Sequence, residues 1–286
     1  MPSVRQIRRR IRSVQNTAKI TKAMSMIAAS KMRRAQESAL QGRPYSEQIR
    51  HLLANLSAQP QDDDEIHPLL QHRPVSNIGL VVITPDRGLT GGLNSNINRT
   101  AGQFIQAQDS HVKVIAVGRK GRDFMARTGQ DLKAVFTDLP DRPNLIDISP
   151  AAHIVIDDFT NGEVDAVFVA YAEFVSTTSQ RPKVEPLLPV VPAALEPTQA
   201  VGYIYEPDAL TVLSELLPRF VEMQLYHALL EGIASEQSAR MVAMRNATDN
   251  ADIMADDLTL AMNKMRQEAI TSDLLDIVGG VAAVQG

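Results

Sequence analysis

The sequence predicts an α/β fold, with an antiparallel coiled coil of the N- and C-terminal helices and an α/β domain inserted between them. Three features predict it. Residues Ser3 to Gln41 contain neither Gly nor Pro, and their apolar side chains recur every three or four positions. Residues Asp208 to Val278 contain a single proline, Pro218, a single glycine, Gly232, and a sustained heptad pattern. Between these stretches, short β-branched runs alternate with helical segments, the pattern of a compact domain on a largely parallel sheet.

The composition narrows the function before any motif is read. The 286 residues suit one or two domains, and 44% hydrophobic against 22% charged residues supports a buried core. No run of about 18 apolar residues occurs, so no segment reads as a membrane-spanning helix. Cysteine is absent, which removes disulfides, thiolate catalysis, iron–sulfur clusters and Cys-type zinc sites. Aromatic residues make up 4% with no Trp, so base-stacking platforms for single-stranded nucleic acid are poorly supplied.

The first element spans residues 1–58. Val4, Ile7, Ile11, Val14 and Ala18 form a stripe spaced alternately by three and four, and a second phase follows at Ile20, Met24 and Ile27. Gly42 and Pro44 are expected to interrupt or bend this helix, and Tyr45 to Leu56 reads as its continuation. Its charge is one-sided: ten Lys or Arg residues precede Glu37, the first acid. Such a segment is a transit peptide, a nucleic-acid arm, or a helix facing an acidic partner. From Gln59 to Pro74 the pattern breaks. The run Asp62–Asp63–Asp64–Glu65 there reads as a solvated linker, because four adjacent carboxylates on a flexible loop lack the fixed geometry of a metal site.

The α/β domain occupies residues 75–195. Ile78–Ile83, Val112–Val117 and Asp165–Tyr171 read as strands, and Asn94–Gln108, Arg119–Arg127 and Ile148–Phe159 as helices. Six prolines between Arg181 and Pro207 indicate an extended connection or edge strand. The last element covers residues 208–286. Met241, Met244, Thr248, Ala251, Ala255, Leu258, Met262, Met265 and Ala269 keep strict heptad spacing, and a shifted phase continues at Ile270, Leu274, Ile277, Val281 and Val284. Some 70 helical residues would extend on the order of 100 Å, with a kink expected at Pro218. Residues 222–276 carry ten acids and four bases, opposite in sign to the first helix. The two helices are therefore expected to pair, with part of the longer one projecting alone.

The search for chemistry returns little. No P-loop, HExxH or GxSxG pattern occurs, and the six histidines are scattered. One Gly-rich loop, Thr84 to Asn94, joins a strand to a helix. It lacks GxGxxG and no acid ends the following strand, so it reads as a tight turn in which Gly91 and Gly92 let strand and helix approach. Gly118-Arg119-Lys120-Gly121 reads as the start of a helix. No cofactor and no metal is expected.

Several blocks together resemble the gamma subunit family of F-type ATP synthases. They are IRSVQNTAKITKAMSMIAASKMRR at Ile11–Arg34, TPDRGLTGGLN at Thr84–Asn94, SEQSARMVAMRNATDNA at Ser235–Ala251, MRQEAIT at Met265–Thr271 and DIVGG at Asp276–Gly280. Their order and spacing are intact from end to end. The resemblance implies a non-catalytic rotor shaft whose coiled coil penetrates the alpha–beta hexamer. Its Rossmann-like α/β domain would sit below, with the epsilon subunit and the membrane c-ring, coupling proton flow to ATP synthesis and hydrolysis. It further implies that Arg266, Gln267 and Thr271 hydrogen-bond a beta-subunit loop, and that Lys19 and Lys22 face acidic beta-subunit loops. Met24 lies near the same bearing on this resemblance, or is a plain seam residue. Arg10 and Arg12 face the beta subunits or pair with the carboxyl-terminal helix. Tyr205 and Glu206 resemble the foot that meets the c-ring, and Val281 to Val284 an apolar tip that turns in a sleeve.

The resemblance also places the protein at the cytoplasmic face of a bacterial plasma membrane, peripheral to it, without a transit peptide or the photosynthetic regulatory insert. Two other classes remain on the residues alone: a nucleic-acid-binding coiled-coil protein using the basic helix, and a Rossmann-like enzyme using the Gly88–Gly92 loop.

Overall fold

A computed structural model describes residues 3–57, 67–191, 206 and 208–285, excepting the side chains at 42–47, 50–51, 56–57, 209, 276, 278–279 and 281–285. The elements in order are helix α1 (Val4–Ser57), strand β1 (Asn77–Ile83), α2 (Leu93–Gln106), β2 (His111–Val117), α3 (Arg119–Arg127), β3 (Asp131–Phe136), α4 (Leu145–Thr160), β4 (Ala166–Ser176), β5 (Ser179–Leu188) and α5 (Ala209–Gln285). The chain falls into two compact units: residues 1–27 with 241–286, and residues 28–240. Each terminal helix contributes to both.

In the larger unit a five-stranded sheet runs in the order β3-β2-β1-β4-β5. The first four strands are parallel, with Val81 opposite both Ile115 and Val169, and β5 returns antiparallel from β4 through a tight turn. β1 alternates between two apolar layers, as a strand of period two covered on both faces must. Ile78, Leu80 and Val82 join Leu93, Ile97 and Ala101 of α2 and Met125 of α3. Val81 and Ile83 join Val155 and Phe159 of α4, Ile49 and Leu53 of α1, and Leu213, Leu217, Val221 and Leu225 of α5. Those α5 residues recur at i, i+4, i+8 and i+12 and so lie on one stripe of the helix.

The prolines after residue 181 are accommodated as expected of an edge: Pro182 and Pro186 lie within β5, the last strand of the sheet. Their continuation through residues 192–205 lies outside the described residues. Strand β3 at the opposite edge is an addition to the sequence reading. Its alternately exposed residues Asp131, Lys133 and Val135 dilute the hydrophobic signal that marked the central strands.

Two local expectations are corrected. The backbone is helical through Gly42 and Pro44, within one element from Val4 to Ser57, so neither residue interrupts α1. The Gly91–Gly92 turn is not a point of close approach. A Cβ at Gly91 would meet nothing within 4 Å, and that glycine is required by its φ of 57°. The crowding lies at Gly118, the N-cap of α3, where φ is 102° and a Cβ would stand 1.8 Å from the Thr84 carbonyl oxygen.

Candidate functional site

In the smaller unit the two terminal helices pair antiparallel. Ile7, Ile11 and Ala18 of α1 are buried, as are Met244, Ala251 and Ala255 of α5. The direction is set by two contacts: the hydroxyls of Thr21 and Thr248 lie 2.6 Å apart, and Ser25 donates to the Met241 carbonyl at 3.1 Å. Residue numbers rise on one helix as they fall on the other.

This changes the phase of the α1 seam. It does not move to Ile20, Met24 and Ile27 but keeps the first register through Thr21 and Ser25. Ile20 and Ile27 point outward, 60% and 57% exposed. From Ala18 onward the seam is built from small and hydroxylated residues, which let the backbones approach closely, whereas nearer the amino terminus it takes Ile7 and Ile11. Ile20, Met26 and Ile27 on α1, with Ile253 and Met254 on α5, form exposed apolar positions that the sequence reading had not marked as surface.

Charge does not join the helices either. Among the described residues no ion pair links the amino-terminal basic residues to the acids of α5. Arg10 and Arg12 are exposed and have no ion-pair partner among the described residues, so the structure shows no pairing of opposite charges along the seam. The physical reason is geometric: the arginines occupy the positions between seam residues and project away from the partner helix.

The remaining candidate residues separate cleanly. Lys19 and Lys22 are exposed on α1, and Met24 is half-buried. Arg266, Gln267 and Thr271 are exposed on α5, with Gln267 and Thr271 four residues apart on one face. None of these polar side chains has a hydrogen-bond partner among the described residues. From Ala269 onward every described side chain of α5 is exposed, including Ile270 at 52%, Leu274 at 57% and Ile277 at 63%. Residues 281–284 are helical, and their side chains lie outside the described set, as does Tyr205. Glu206 is exposed just before α5.

The Gly-rich loop belongs to the larger unit and is held by side chains of its own chain. Asp86 accepts from the backbone N–H groups of Arg119 at 2.8 Å and Asp138 at 2.9 Å. Arg119 in turn bonds Asp138, and that contact holds the Asp138 carboxyl below the usual carboxylate range. Thr84 accepts from the Gly121 N–H at 2.7 Å. A doubly wound sheet takes ligands where strand order reverses, outside the carboxyl ends of its strands. Here that point lies between β1 and β4, and helix α5 crosses it. Ser235 Oγ donates to the Ala172 carbonyl at 2.9 Å, Ser238 Oγ to the Thr177 carbonyl at 2.6 Å, and Arg240 Nη2 to the Gly88 carbonyl at 3.3 Å. The chain thus places its own helix where an enzyme of this topology would place a cofactor. Among the described residues no group of three His, Asp or Glu side chains could hold a metal ion, and no helix is long and apolar enough to cross a membrane.

Comparison with known proteins agrees with this arrangement. The family model for ATP synthase matches residues 3–284. The ATP synthase gamma chain of Dehalococcoides mccartyi strain CBDB1 is 58% identical over 284 residues, covering 99% of this chain and 100% of the relative. The gamma chain of Chloroflexus aurantiacus strain J-10-fl is 49% identical over 288 residues, 99% of each. Among solved structures, a central stalk and c-ring chain of the Tetrahymena thermophila mitochondrial ATP synthase aligns with a TM-score of 0.62 and 27% identity, over 80% of this chain and 99% of that one. A chain of the Euglena gracilis mitochondrial enzyme in rotational state 3 shares the fold at a TM-score of 0.70 and 20% identity, over 98% of this chain and 94% of that one.

Proposed function

The chain belongs to the ATP synthase gamma chain family, and from that membership we propose that it is the rotor shaft of an F-type ATP synthase. The observation that carries this is the carboxyl-terminal part of α5. There Ile270, Leu274 and Ile277 form an exposed apolar stripe with Leu275 beyond it, and a contiguous apolar surface of this kind calls for an enclosing partner. The ring of alpha and beta subunits supplies that enclosure.

The mechanism follows from asymmetry. An off-axis pair of helices presents different faces to three otherwise equivalent beta subunits, and each face favours a different open or closed conformation. Turning the shaft shifts those populations in sequence. Proton flow through the c-ring turns it toward ATP synthesis, and ATP hydrolysis turns it back. The nucleotide chemistry belongs to the beta subunits, and this chain supplies no catalytic group. Residues 1–58 and 208–286 are the axle, and residues 75–195 the inserted domain that sits with epsilon and the c-ring.

Arg266, Gln267 and Thr271 are the hydrogen-bonding contacts to a beta-subunit loop, and their exposure without partners among the described residues supports that role. Lys19 and Lys22 face acidic beta-subunit loops, with Met24 beside them at the bearing. Tyr205 and Glu206 form the foot toward the c-ring. The chain is peripheral to the membrane, on the cytoplasmic face of a bacterial plasma membrane.

Co-expression with alpha and beta subunits tests the reading. The three chains should elute together as a complex that hydrolyses ATP. A chain that elutes apart from alpha and beta, leaving them unassembled, overturns it.

A further inference from the structure

We propose that Gly232 to Arg240 is the torsional joint of the rotor, the stretch that fixes α5 against turning about its own axis within the α/β domain; this rests on the rotor-shaft reading. Nearer its start α5 is held by an apolar stripe, Leu213 to Leu225, and by two polar contacts, Ser149 Oγ to Glu222 at 2.9 Å and Tyr226 OH to the Pro143 carbonyl at 3.0 Å. The apolar contact is non-directional, and the two bonds stand only about 40° apart round the helix, so they do not oppose each other when it rolls. Between residues 234 and 240 the helix is enclosed on all sides, with Ser235 and Ser238 fully buried.

The bonds in this stretch come from two directions. Ser235 and Ser238 reach the carbonyls of Ala172 and Thr177, within β4 and in the turn to β5. Arg240 reaches the Gly88 carbonyl of the loop after β1, braced by Glu236 at 2.7 Å. At ~100° per residue, Arg240 stands about 140° round the helix from Ser235. Rolling the helix either way therefore breaks one set or the other. Gly232 brings the helix onto the sheet, since a Cβ there would lie 3.3 Å from Ile83 Cγ2. Buried hydrogen bonds are directional and costly to leave unmade, which is what a joint under twisting load needs.

The test uses the assembled membrane complex carrying Ser235→Ala, Ser238→Ala and Arg240→Gln together. ATP hydrolysis should stay within about twofold of the parent, while protons pumped per ATP fall by a factor of about three or more. Rotational stiffness, read from angular fluctuations of a bead on the stalled rotor, should drop about twofold, and restoring the two serines should recover part of it. An unchanged pumping ratio and stiffness overturn the joint. If the triple variant does not assemble, the stiffness of the Ser238→Ala complex decides: no softening overturns the proposal. A parent chain that supports no pumping would instead count against the rotor reading itself.

Discussion

At Gly118 a single missing Cβ decides how strand β2 turns into helix α3. The backbone sits at a φ of 102°, and the Thr84 carbonyl occupies the space a side chain would need, 1.8 Å from the Cβ position. Alanine there incurs both positive-φ strain and a backbone clash, so Gly118→Ala should destabilise the chain by about 3–5 kcal/mol in urea unfolding. Gly88→Ala in the neighbouring loop is the control. Nothing lies within 4 Å of its Cβ position and its φ is not positive, so the change should be within about 0.5 kcal/mol. Equal effects at the two sites would refute the steric account. The sequence showed that Gly118 starts a helix. It did not show the opposing carbonyl, because Thr84 lies 34 positions away and enters only through the parallel pairing of β1 with β2.

At the scale of the element, the seam of the paired helices was half legible. The heptads of α5 were readable because Met and Ala recur at heptad spacing over many turns, which outweighs the off-register Ile253, Met254 and Leu260. On α1 the pattern held to Ala18 and then misled, since Ile20 and Ile27 outweigh Thr21 and Ser25 on any hydrophobic scale. Packing distance, which a sequence does not carry, gave the seam to the hydroxyls. Strand β3 was missed for a related reason, as half of its residues face water. The Thr21–Thr248 contact offers a direct measure of the seam. Each hydroxyl can also bond within its own helix, Thr21 to the Ala18 carbonyl at 3.1 Å and Thr248 to the Met244 carbonyl at 2.9 Å. Losing one partner is therefore partly compensated. In a cycle of Thr21→Val, Thr248→Val and the double variant, each single change should cost about 1 kcal/mol and the coupling should be of similar size. Additive costs would mean that the two hydroxyls do not act as a pair.

For the whole molecule the question is how a gamma-family chain of the ATP synthase divides its residues between its own packing and the surfaces of partners. The buried parts of α1 and α5 answer to this chain's own packing, and the sequence revealed them as periodicity. The exposed parts answer to surfaces that are not in the chain: the apolar period continues there through Ile270, Leu274 and Ile277, but only the resemblance in MRQEAIT singled out the polar residues. Arg266 and Gln267 are the sharpest case: both are exposed, and neither has a partner among the described residues. Removing them should leave the chain's own stability within about 0.5 kcal/mol. If they hydrogen-bond a beta-subunit loop, the loss falls on the assembled complex instead. Two bonds to charged or polar partners, at about 1–2 kcal/mol each, would slow turnover roughly 30- to 900-fold where both are made only at the rate-limiting angle. The loss would be smaller where they persist through the cycle. Arg266→Ala with Gln267→Ala should therefore lower steady-state ATP hydrolysis of the complex, with nucleotide affinity of isolated beta unchanged. Full turnover in the double variant would show that torque is carried by the apolar faces around Ile270 and Leu274, and that these two polar residues are only solvated surface.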